Sequence, residues 1–455
     1  MTTRRRHQRV HDLAVIGLGP AGAALALRMA RRGVRVVAVD QHRLPRETLC
    51  GEFLSSEAVA RLIDLGLLDR HGRQDGRMPP RIEHLRVVAP AGTELLHRLT
   101  PPSLALSRSR LDAALVAAAG DSGAEIVDRW RAIAVERRPD GGCTVHGIDP
   151  CGRSARWMAR QAVGAHGKAG CLNRTGPAPE PRLQASAGGR ASGSGPAAST
   201  ARTSAITSES AGFIAWSAHH RGAGPRATVE LFPFHGGYCG VTPIEDDRFN
   251  VCALATREVF RGAGATLAGL IAVASRDNPA LACRLDGLAR LDTRERTAAR
   301  MSFRRCRPVA SPLLMVGDAA AMIAPLCGDG IGMALSSAVL AEEWLLAFLE
   351  GRSDHRGMLT GYARSWHRTF RRRLAIGRAL QLLMLEPRRA AWAIRVCRTW
   401  PALTDWLVRH TRDVFPHPQP AAVPHRDVPR STAPPPRADG PRRQASSSRR
   451  MPTTS

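Results

Sequence analysis

The chain has almost no lysine. Lys168 is the only lysine among 66 basic residues, and the formal charge at neutral pH is +27. So uniform a preference for arginine is typical of a compositional bias carried by a whole genome, because a surface selected for nucleic acid uses both residues. We therefore expect no nucleic-acid partner, in spite of the charge.

The cysteines form no Cys-x-x-Cys pair and no spacing typical of a zinc site. All 10 are scattered between Cys50 and Cys397, which predicts free thiols in a reducing cytoplasm and no bound metal. No apolar run reaches the length of an unbroken membrane span. The arginine-rich start resembles an export signal, but its apolar run contains glycines and leads into a second strand pattern. This favours a folded, cytoplasmic domain.

Two common catalytic signatures are also missing. The chain has neither the Gly-x-Ser-x-Gly of a nucleophile elbow nor a Walker loop. What it does contain is a βαβ pattern near the start. Residues 12–16 predict a buried strand, residues 21–32 a helix, and residues 34–40 the next strand. The fold class is therefore predicted to be α/β with a parallel sheet.

A glycine-rich turn joins the first predicted strand to the helix. It comprises Gly17, Gly19, Pro20, Ala21 and Gly22. Gly17 allows the tight turn, Gly19 lets the backbone approach a pyrophosphate, and Gly22 lets helix and strand pack closely. The helix N-terminus supplies N–H donors to the phosphates. The turn thus predicts a dinucleotide site.

An acid ends the second predicted strand. Asp40, with Gln41 beside it, is placed where a carboxylate accepts hydrogen bonds from a ribose 2′-hydroxyl. A 2′-phosphate would meet this carboxylate as a second anion. The bound nucleotide is therefore expected to be FAD or NAD and not NADP.

A second glycine-rich stretch lies far along the chain. Gly317 precedes Asp318, and a short turn through Gly328 leads into a small-residue helix predicted over 330–349, which begins with Gly330 and Ile331. Glycines in this arrangement let the backbone and a helix N-terminus approach a ligand. Together with the first turn, this pattern indicates a bound flavin.

The two stretches resemble the FAD site of the para-hydroxybenzoate hydroxylase superfamily, and most closely its geranylgeranyl reductase-like branch. The resemblance implies that Asp318 binds the ribityl or ribose region of FAD. It also implies that the Pro-x-x-Gly-x-Gly turn lies against the isoalloxazine ring, where a helix N-terminus would stabilise the anionic reduced flavin.

Smaller matches extend the resemblance. Arg108 begins a segment similar to the family's Arg-x-x-Leu-Asp helix start, whose arginine reaches the FAD phosphates. Cys50 lies in a Cys-Gly loop similar to one that approaches the flavin, with Arg46 just before it. Cys50 is either a cysteine at the redox centre or a small buried loop residue. His166 stands at the acidic position of the family's Asp-Gly motif.

Aromatic residues mark the substrate side. Trp216, Phe232 and Tyr238 fall on a predicted antiparallel sheet that, by the resemblance, roofs the substrate over the flavin. Sheets also bury alternate aromatic residues in their cores, so both interpretations stay open. His219 and His220 are interpreted as an exposed histidine turn, with a catalytic base as the alternative.

The resemblance implies an FAD-dependent oxidoreductase with NAD(P)H as transient electron donor. A second dinucleotide fingerprint is absent, so NAD(P)H would bind without a Rossmann domain of its own. The expected reaction is monooxygenation or double-bond reduction of an apolar small molecule, such as an aromatic polyketide or an isoprenoid. The Trp-x-Trp-x-Ile-Pro element of flavin halogenases is missing. The alternative is a flavin-binding homologue that is catalytically inactive or frame-damaged.

The predicted organisation has an FAD-binding domain interleaved with a substrate domain, followed by C-terminal helices. Its parts are a basic arm at 1–10, the first FAD-binding part at 11–168, a low-complexity segment at 169–210, the substrate sheet at 211–300, the last FAD-binding part at 301–349, helices at 350–412 and a Pro/Arg/Ser tail at 413–455.

The C-terminal region contains two helical patterns, over about 362–385 and 388–409, and the first is amphipathic. Apolar residues recur at helical spacing opposite a face rich in arginine: Tyr362, Trp366, Phe370, Leu374, Ile376 and Leu380. Such a stripe either covers the flavin domain or lies in a membrane interface, where anionic lipids attract the arginines. A peripheral membrane contact is therefore one of two interpretations.

Overall fold

The computed structural model describes residues 10–169, 212–292, 296–301, 303 and 306–412. The strands are β1 (Val10–Ile16), β2 (Val36–Val39), β3 (Phe53–Leu54), β4 (Arg81–Val88), β5 (Glu94–Ala105), β6 (Glu125–Val127), β7 (Arg131–Arg137), β8 (Cys143–Ile148), β9 (Ser154–Gly164), β10 (Phe213–Gly222), β11 (Thr228–Phe234), β12 (Gly237–Ile244), β13 (Arg248–Thr256), β14 (Leu288–Arg290), β15 (Arg296–Met301), β16 (Val309–Ala310) and β17 (Leu313–Met315). The helices are α1 (Pro20–Arg31), α2 (Ser56–Asp64), α3 (Arg108–Asp121), α4 (Arg257–Gly262), α5 (Leu267–Asp277), α6 (Pro279–Asp286), α7 (Gly330–Leu349), α8 (His355–Met384), α9 (Pro387–Thr399) and α10 (Pro401–His410).

The predicted βαβ unit is present. β1 and β2 pair in parallel, with Leu13 opposite Val36, and both are buried because helices cover the sheet. Pro20 begins α1, where its fixed φ suits the first helical turn. The α/β fold class is therefore confirmed.

Two sheets make up the fold. In the first, β17, β9, β1, β2 and β6 run parallel, and the antiparallel strands β16 and β8 pair with β17 and β9. The second has the order β14-β10-β13-β12-β11-β4-β5-β3, with β15 beside β10. It is antiparallel except between β11 and β4.

The chain passes between the two sheets more than once. Strands β3 to β5 join the second sheet between β2 and β6 of the first, and β10 to β15 return to the second sheet before β16 and β17 complete the first. This is the interleaved arrangement that the resemblance implied. The sequence patterns did not predict β4, β5 or helices α4 to α6.

The C-terminal helices differ from their predicted bounds. Instead of one helix over residues 388–409, α9 ends at Thr399 and α10 begins at Pro401. Pro401 cannot donate an N–H to continue α9, but it fits the first position of α10. α8 begins at His355, where the Asp354 carboxylate caps the helix by accepting the Gly357 N–H at 2.7 Å.

The apolar stripe of α8 divides between two environments. Tyr362, Trp366 and Phe370 are fully buried in the core of the first sheet, and the Tyr362 hydroxyl donates to the Met315 carbonyl at 2.7 Å. Ile376 and Leu380 line a cavity described below. The first part of this stripe therefore covers the sheet and is not available to a membrane.

One helix in the described part of the chain, α7, is long and apolar enough to cross a bilayer. It packs against α1, α2 and α8, and most of its residues are buried. Such burial is ordinary for a core helix. The predicted basic arm, low-complexity segment and tail fall, apart from Val10 and Ala169, outside the described residues.

Candidate active site

A cavity of about 810 Å³ lies at the carboxyl ends of the parallel strands, between the two sheets and the C-terminal helices. This is where open α/β sheets bind ligands. All but two of the site residues predicted from the sequence line it: Gly17, Gly19, Pro20, Ala21, Asp40, Gln41, Arg46, Cys50, Arg108, Trp216, Tyr238, Asp318, Gly328, Gly330 and Ile331. The exceptions are Gly22 and Phe232.

The glycines of the first turn have different roles. A Cβ on Gly22 would lie 1.9 Å from the Gly17 carbonyl oxygen, and one on Gly17 would lie 2.4 Å from the Ala165 carbonyl oxygen. These two glycines let the turn pack. A Cβ on Gly19 would meet only the Arg108 guanidinium, at 3.8 Å. Gly19 therefore faces the cavity at the start of α1, where a phosphate fits.

Asp40 shapes the same turn. Its carboxylate accepts the backbone N–H groups of Leu18 and His42, both at 2.9 Å, and lies 3.5 Å from the Arg46 guanidinium. The side chain is 4% exposed. The acid predicted to face a ribose thus also fixes the glycine turn, since it holds one of the turn's N–H groups.

Asp318 and Lys168 bring opposite charges to the cavity. The Asp318 side chain is exposed to the cavity, but the surrounding protein desolvates its carboxyl. This desolvation raises the pKa of the carboxyl, and the charges of Lys168 and Arg108 oppose the shift. Burial lowers the pKa of the Lys168 ammonium, and Asp318 opposes that shift. Lys168 was not predicted as a site residue. The sequence feature that could have identified Lys168 is that it is the only lysine in an arginine-rich chain.

The second glycine turn ends at the start of α7. Gly328 has a φ of +65°, and a Cβ there would lie 2.9 Å from the Phe53 ring. A Cβ on Gly330 would meet no atom within 4 Å, so the first turn of α7 is open to the cavity. Two helix N-termini with open glycines therefore meet in one cavity, and their N–H groups suit an extended anionic dinucleotide.

A buried ionic cluster holds this turn from behind. The Arg373 guanidinium lies 2.9 Å from both Asp329 and Glu57, and the Ser55 hydroxyl donates to Asp329 at 2.7 Å. Burial, reinforced by Glu57 and opposed by Arg373, raises the pKa of Asp329 to about 7. The cluster ties α2, α7 and α8 together beneath the turn.

A buried acid–histidine pair also belongs to the cavity and was not predicted. Glu52 lines the cavity, and one of its carboxylate oxygens lies 2.8 Å from His219 Nε2. Its other oxygen accepts the Arg108 backbone N–H at 3.0 Å. The interpretation of His219 and His220 as an exposed turn is wrong, because both lie on strand β10 and are 2% and 8% exposed.

Cys50 and Arg108 adjoin this pair. The Glu52 N–H donates to Cys50 Sγ at 3.3 Å, and burial raises the pKa of the Cys50 thiol. A protonated thiol is a weak nucleophile, so Cys50 is a small wall residue here. The Arg108 guanidinium is held by Asp112 through two hydrogen bonds of 3.0 and 2.8 Å, which fixes it beside Gly19.

The substrate side of the cavity is formed by one face of the second sheet. Trp216 borders the cavity, but its side chain packs with Phe232 in the core on the opposite face, since both belong to one cross-strand row with Ala253 and Cys239. Tyr238 lines the cavity face, as predicted for a substrate pocket. Phe232 does not, because strand alternation directs its neighbour Leu231 to the cavity and Phe232 to the core with Phe234. The prediction for Phe232 is therefore wrong.

Beyond this sheet the cavity reaches the C-terminal helices, where most of the lining residues are apolar. The side chains of α8, α9 and α10 that line this end are Ile376, Leu380, Leu383, Trp392, Val396, Leu403, Trp406 and Leu407. An apolar chain finds favourable burial there. The cavity thus joins a polar end with two helix N-termini to a long apolar end.

Comparison with known proteins agrees with this geometry. The profile of the FAD binding domain family matches residues 10–372. Menaquinone reductase from Mycolicibacterium smegmatis is 27% identical over 398 residues, which cover 83% of this chain and 85% of that protein. Digeranylgeranylglycerophospholipid reductase 1 from Methanopyrus kandleri is 25% identical over 391 residues, covering 79% and 87%.

Among solved structures, a geranylgeranyl bacteriochlorophyll reductase-like protein from Thermoplasma acidophilum has the same fold. Its TM-score is 0.66 at 17% identity, with 88% of this chain and 96% of that chain covered. The open glycines at two helix N-termini, with Arg108 and Lys168 nearby, fit the phosphates and ring of FAD. The chain belongs to the FAD binding domain family and is an FAD-dependent oxidoreductase.

Proposed function

We propose that the protein reduces a double bond or quinone ring in a lipid-soluble isoprenoid compound, using NADH or NADPH as electron donor. The observation that carries this proposal is the continuity of the cavity. The same space that has the features of a flavin site extends along apolar side chains of α8, α9 and α10. A small polar substrate has no use for such an extension.

The polar end of the cavity is assigned to FAD. Gly19 and the start of α1 would hold the pyrophosphate, with Arg46 and Arg108 as counter-charges, and Asp40 would accept a hydrogen bond from the ribose. Asp318 would hold the linker, and the turn at Gly328 and Gly330 would hold the ring. Bound and reduced, FAD supplies a hydride to an electron-poor carbon.

The apolar end is assigned to the substrate. Tyr238 would lie beside the reacting group, and the side chains of α8 to α10 would bind the isoprenoid chain and exclude water. Two relatives that match most of the chain are named as reductases, one of menaquinone and one of a geranylgeranyl lipid. These names favour reduction over hydroxylation as the reaction.

The test is an anaerobic half-reaction. The flavin is reduced with NADH or NADPH, and its absorbance is followed while menaquinone, a geranylgeranyl lipid or a phenol is added. Rapid return of the oxidised flavin spectrum with an isoprenoid compound, together with a product two hydrogens heavier, supports the proposal. Phenol-dependent oxygen uptake without anaerobic reoxidation would instead establish a monooxygenase.

A further inference from the structure

We propose that α9 and α10 form a membrane-binding surface around the open end of the cavity, and that its partner is a bilayer containing anionic lipids. The first observation is exposure. Trp392, Trp400 and Trp406 are 59%, 65% and 41% exposed. Of the eight large apolar side chains exposed in the described ranges, these three and Leu382 lie within one short segment. A cluster of exposed indoles marks an interaction surface.

The position of these indoles connects them with the cavity. Trp392 and Trp406 are exposed to solvent and also line the cavity, so they stand at its opening. Val396 follows Trp392 by one turn of α9, and Leu403 precedes Trp406 by one turn of α10. An apolar chain leaving a bilayer at this surface would therefore meet the apolar side chains of Val396 and Leu403 on its path into the cavity.

The charge of the segment selects the partner. Residues 387–412 contain six arginines and one acid, Asp405. Arg388, Arg389, Arg395, Arg398 and Arg409 are exposed. The guanidinium of Arg372 on α8 lies 5.6 Å from the centre of the Trp406 ring, so the basic face of α8 continues into this surface. Indoles favour the headgroup level of a bilayer, and arginines favour anionic headgroups.

The same charge argues against a second copy of the chain as the partner. Two such surfaces facing each other would bring at least ten arginines together, and like charges in contact repel.

This surface differs from the stripe that the sequence suggested, because Tyr362, Trp366 and Phe370 of α8 are buried. The inference rests on the proposed function only in taking the bilayer as the source of the substrate.

The experiment is co-sedimentation of the full-length, FAD-loaded protein with lipid vesicles. Vesicles of phosphatidylcholine alone are compared with vesicles that also contain phosphatidylglycerol, at low and high salt. Trp400→Ser is the main variant, because Trp400 is exposed and does not line the cavity. Leu291→Ser is the matched control, since Leu291 is 41% exposed but lies far from the proposed surface. Leu291 follows β14 at one edge of the second sheet, whereas α9 packs on β5 near the opposite edge.

We expect wild-type protein to sediment with anionic vesicles at low salt, Trp400→Ser to lower the bound fraction several-fold, and Leu291→Ser to leave it unchanged. Brominated lipids should quench tryptophan emission of the wild type more than that of the variant. No sedimentation with anionic vesicles would overturn the proposal. So would equal binding by all three proteins, because it would assign the attraction to charge elsewhere in the chain.

A detergent assay separates this proposal from the proposed function. The Trp400→Ser variant should catalyse the reduction of a detergent-dispersed isoprenoid substrate at the wild-type rate. Substrate reduction in detergent without vesicle binding would reject the membrane surface alone. Vesicle binding without any reduction of isoprenoid compounds would reject the proposed function and leave the surface standing.

Discussion

Glu52 and His219 share a hydrogen bond of 2.8 Å between Oε2 and Nε2, although 167 residues separate them in the chain. Their side chains are 1% and 2% exposed. The backbone N–H of His219 donates to Asp292 at 2.6 Å, and Asp292 is partly exposed. The side-chain pair therefore joins the cavity wall at Glu52 to strand β10, and the backbone of β10 is held in turn by Asp292.

Because Glu52 lines the cavity and is hydrogen-bonded to His219, we expect this pair to supply the proton that substrate reduction requires. We expect Glu52→Gln to slow substrate reduction by about 10²-fold, a usual contribution of one general acid. FAD reduction by NADH or NADPH should change much less, because that step requires no proton from this side chain. Single-turnover absorbance measurements of both half-reactions test the difference. Equal slowing of both half-reactions would indicate a merely structural role.

The two glycines of the first turn should respond differently to alanine. Gly22→Ala is expected to destabilise the protein by about 3 kcal/mol or more, since the new Cβ would overlap the Gly17 carbonyl. Gly19→Ala should cost about 1 kcal/mol or less and weaken FAD binding about tenfold or more, because its Cβ would enter only the cavity. Urea unfolding and FAD titration of the apoprotein measure the two effects. Equal loss of stability in both variants would contradict the assignment of Gly22 to packing and of Gly19 to cofactor binding.

Lys168 is expected to contribute to FAD affinity through its charge. Lys168→Met should weaken FAD binding by about fivefold, as a partly screened ion pair would. Lys168→Arg keeps the charge and serves as the control. Fluorescence titration with FAD at low and high salt checks this. If high salt does not reduce the difference in FAD affinity between the Lys168→Met variant and the wild type, the contribution of Lys168 is not electrostatic.

The buried cluster at the start of α7 predicts a pH dependence of stability. The pKa of Asp329 is raised from 3.8 to about 7, so the folded protein keeps a proton that the unfolded chain releases near pH 4. Stability should therefore fall as pH rises between about 4 and 7, by at most about 1.4 kcal/mol per pH unit from this group. Asp329→Asn should remove this part of the slope.

Urea unfolding of wild type and Asp329→Asn at pH 5 and pH 7, with saturating FAD, provides the measurement. The variant should gain stability relative to wild type as the pH rises. Parallel pH profiles for the two proteins would show that Asp329 is already ionised at pH 5.

The sequence predicted those parts of the site that are local. Each of the two glycine turns can be recognised from a few consecutive residues, because glycine, strand and helix signals adjoin one another there. These are the turn at Gly17, Gly19 and Gly22 and the turn at Gly328 and Gly330. The pairing of Glu52 with His219 could not be predicted this way. It depends on how β10 lies in the second sheet relative to the Cys-Gly loop.

Other errors arose where both sides of an element are buried. β11 has the cavity on one face and α5 and α6 on the other, so alternation alone did not tell whether Leu231 or Phe232 faces the substrate. β4 and β5 carry several half-exposed residues, and their alternation was too weak to predict strands. Pro401 marks the break between α9 and α10 in the sequence, because proline cannot continue a helix but fits the first position of the next one.

Arg373 divides α8 into two parts that should tolerate sequence change to different degrees. Before it, Tyr362, Trp366 and Phe370 are fixed in the core, and Arg373 itself holds the acids beneath the flavin-side turn. After it, Ile376 and Leu380 line the cavity, whereas Gly377 between them packs against Cys327, next to Gly328 of the flavin-side turn. Chain-length preference for the substrate can therefore diverge among homologues, or be redesigned, at Ile376 and Leu380, while Gly377 and Arg373 must stay to support the cofactor end.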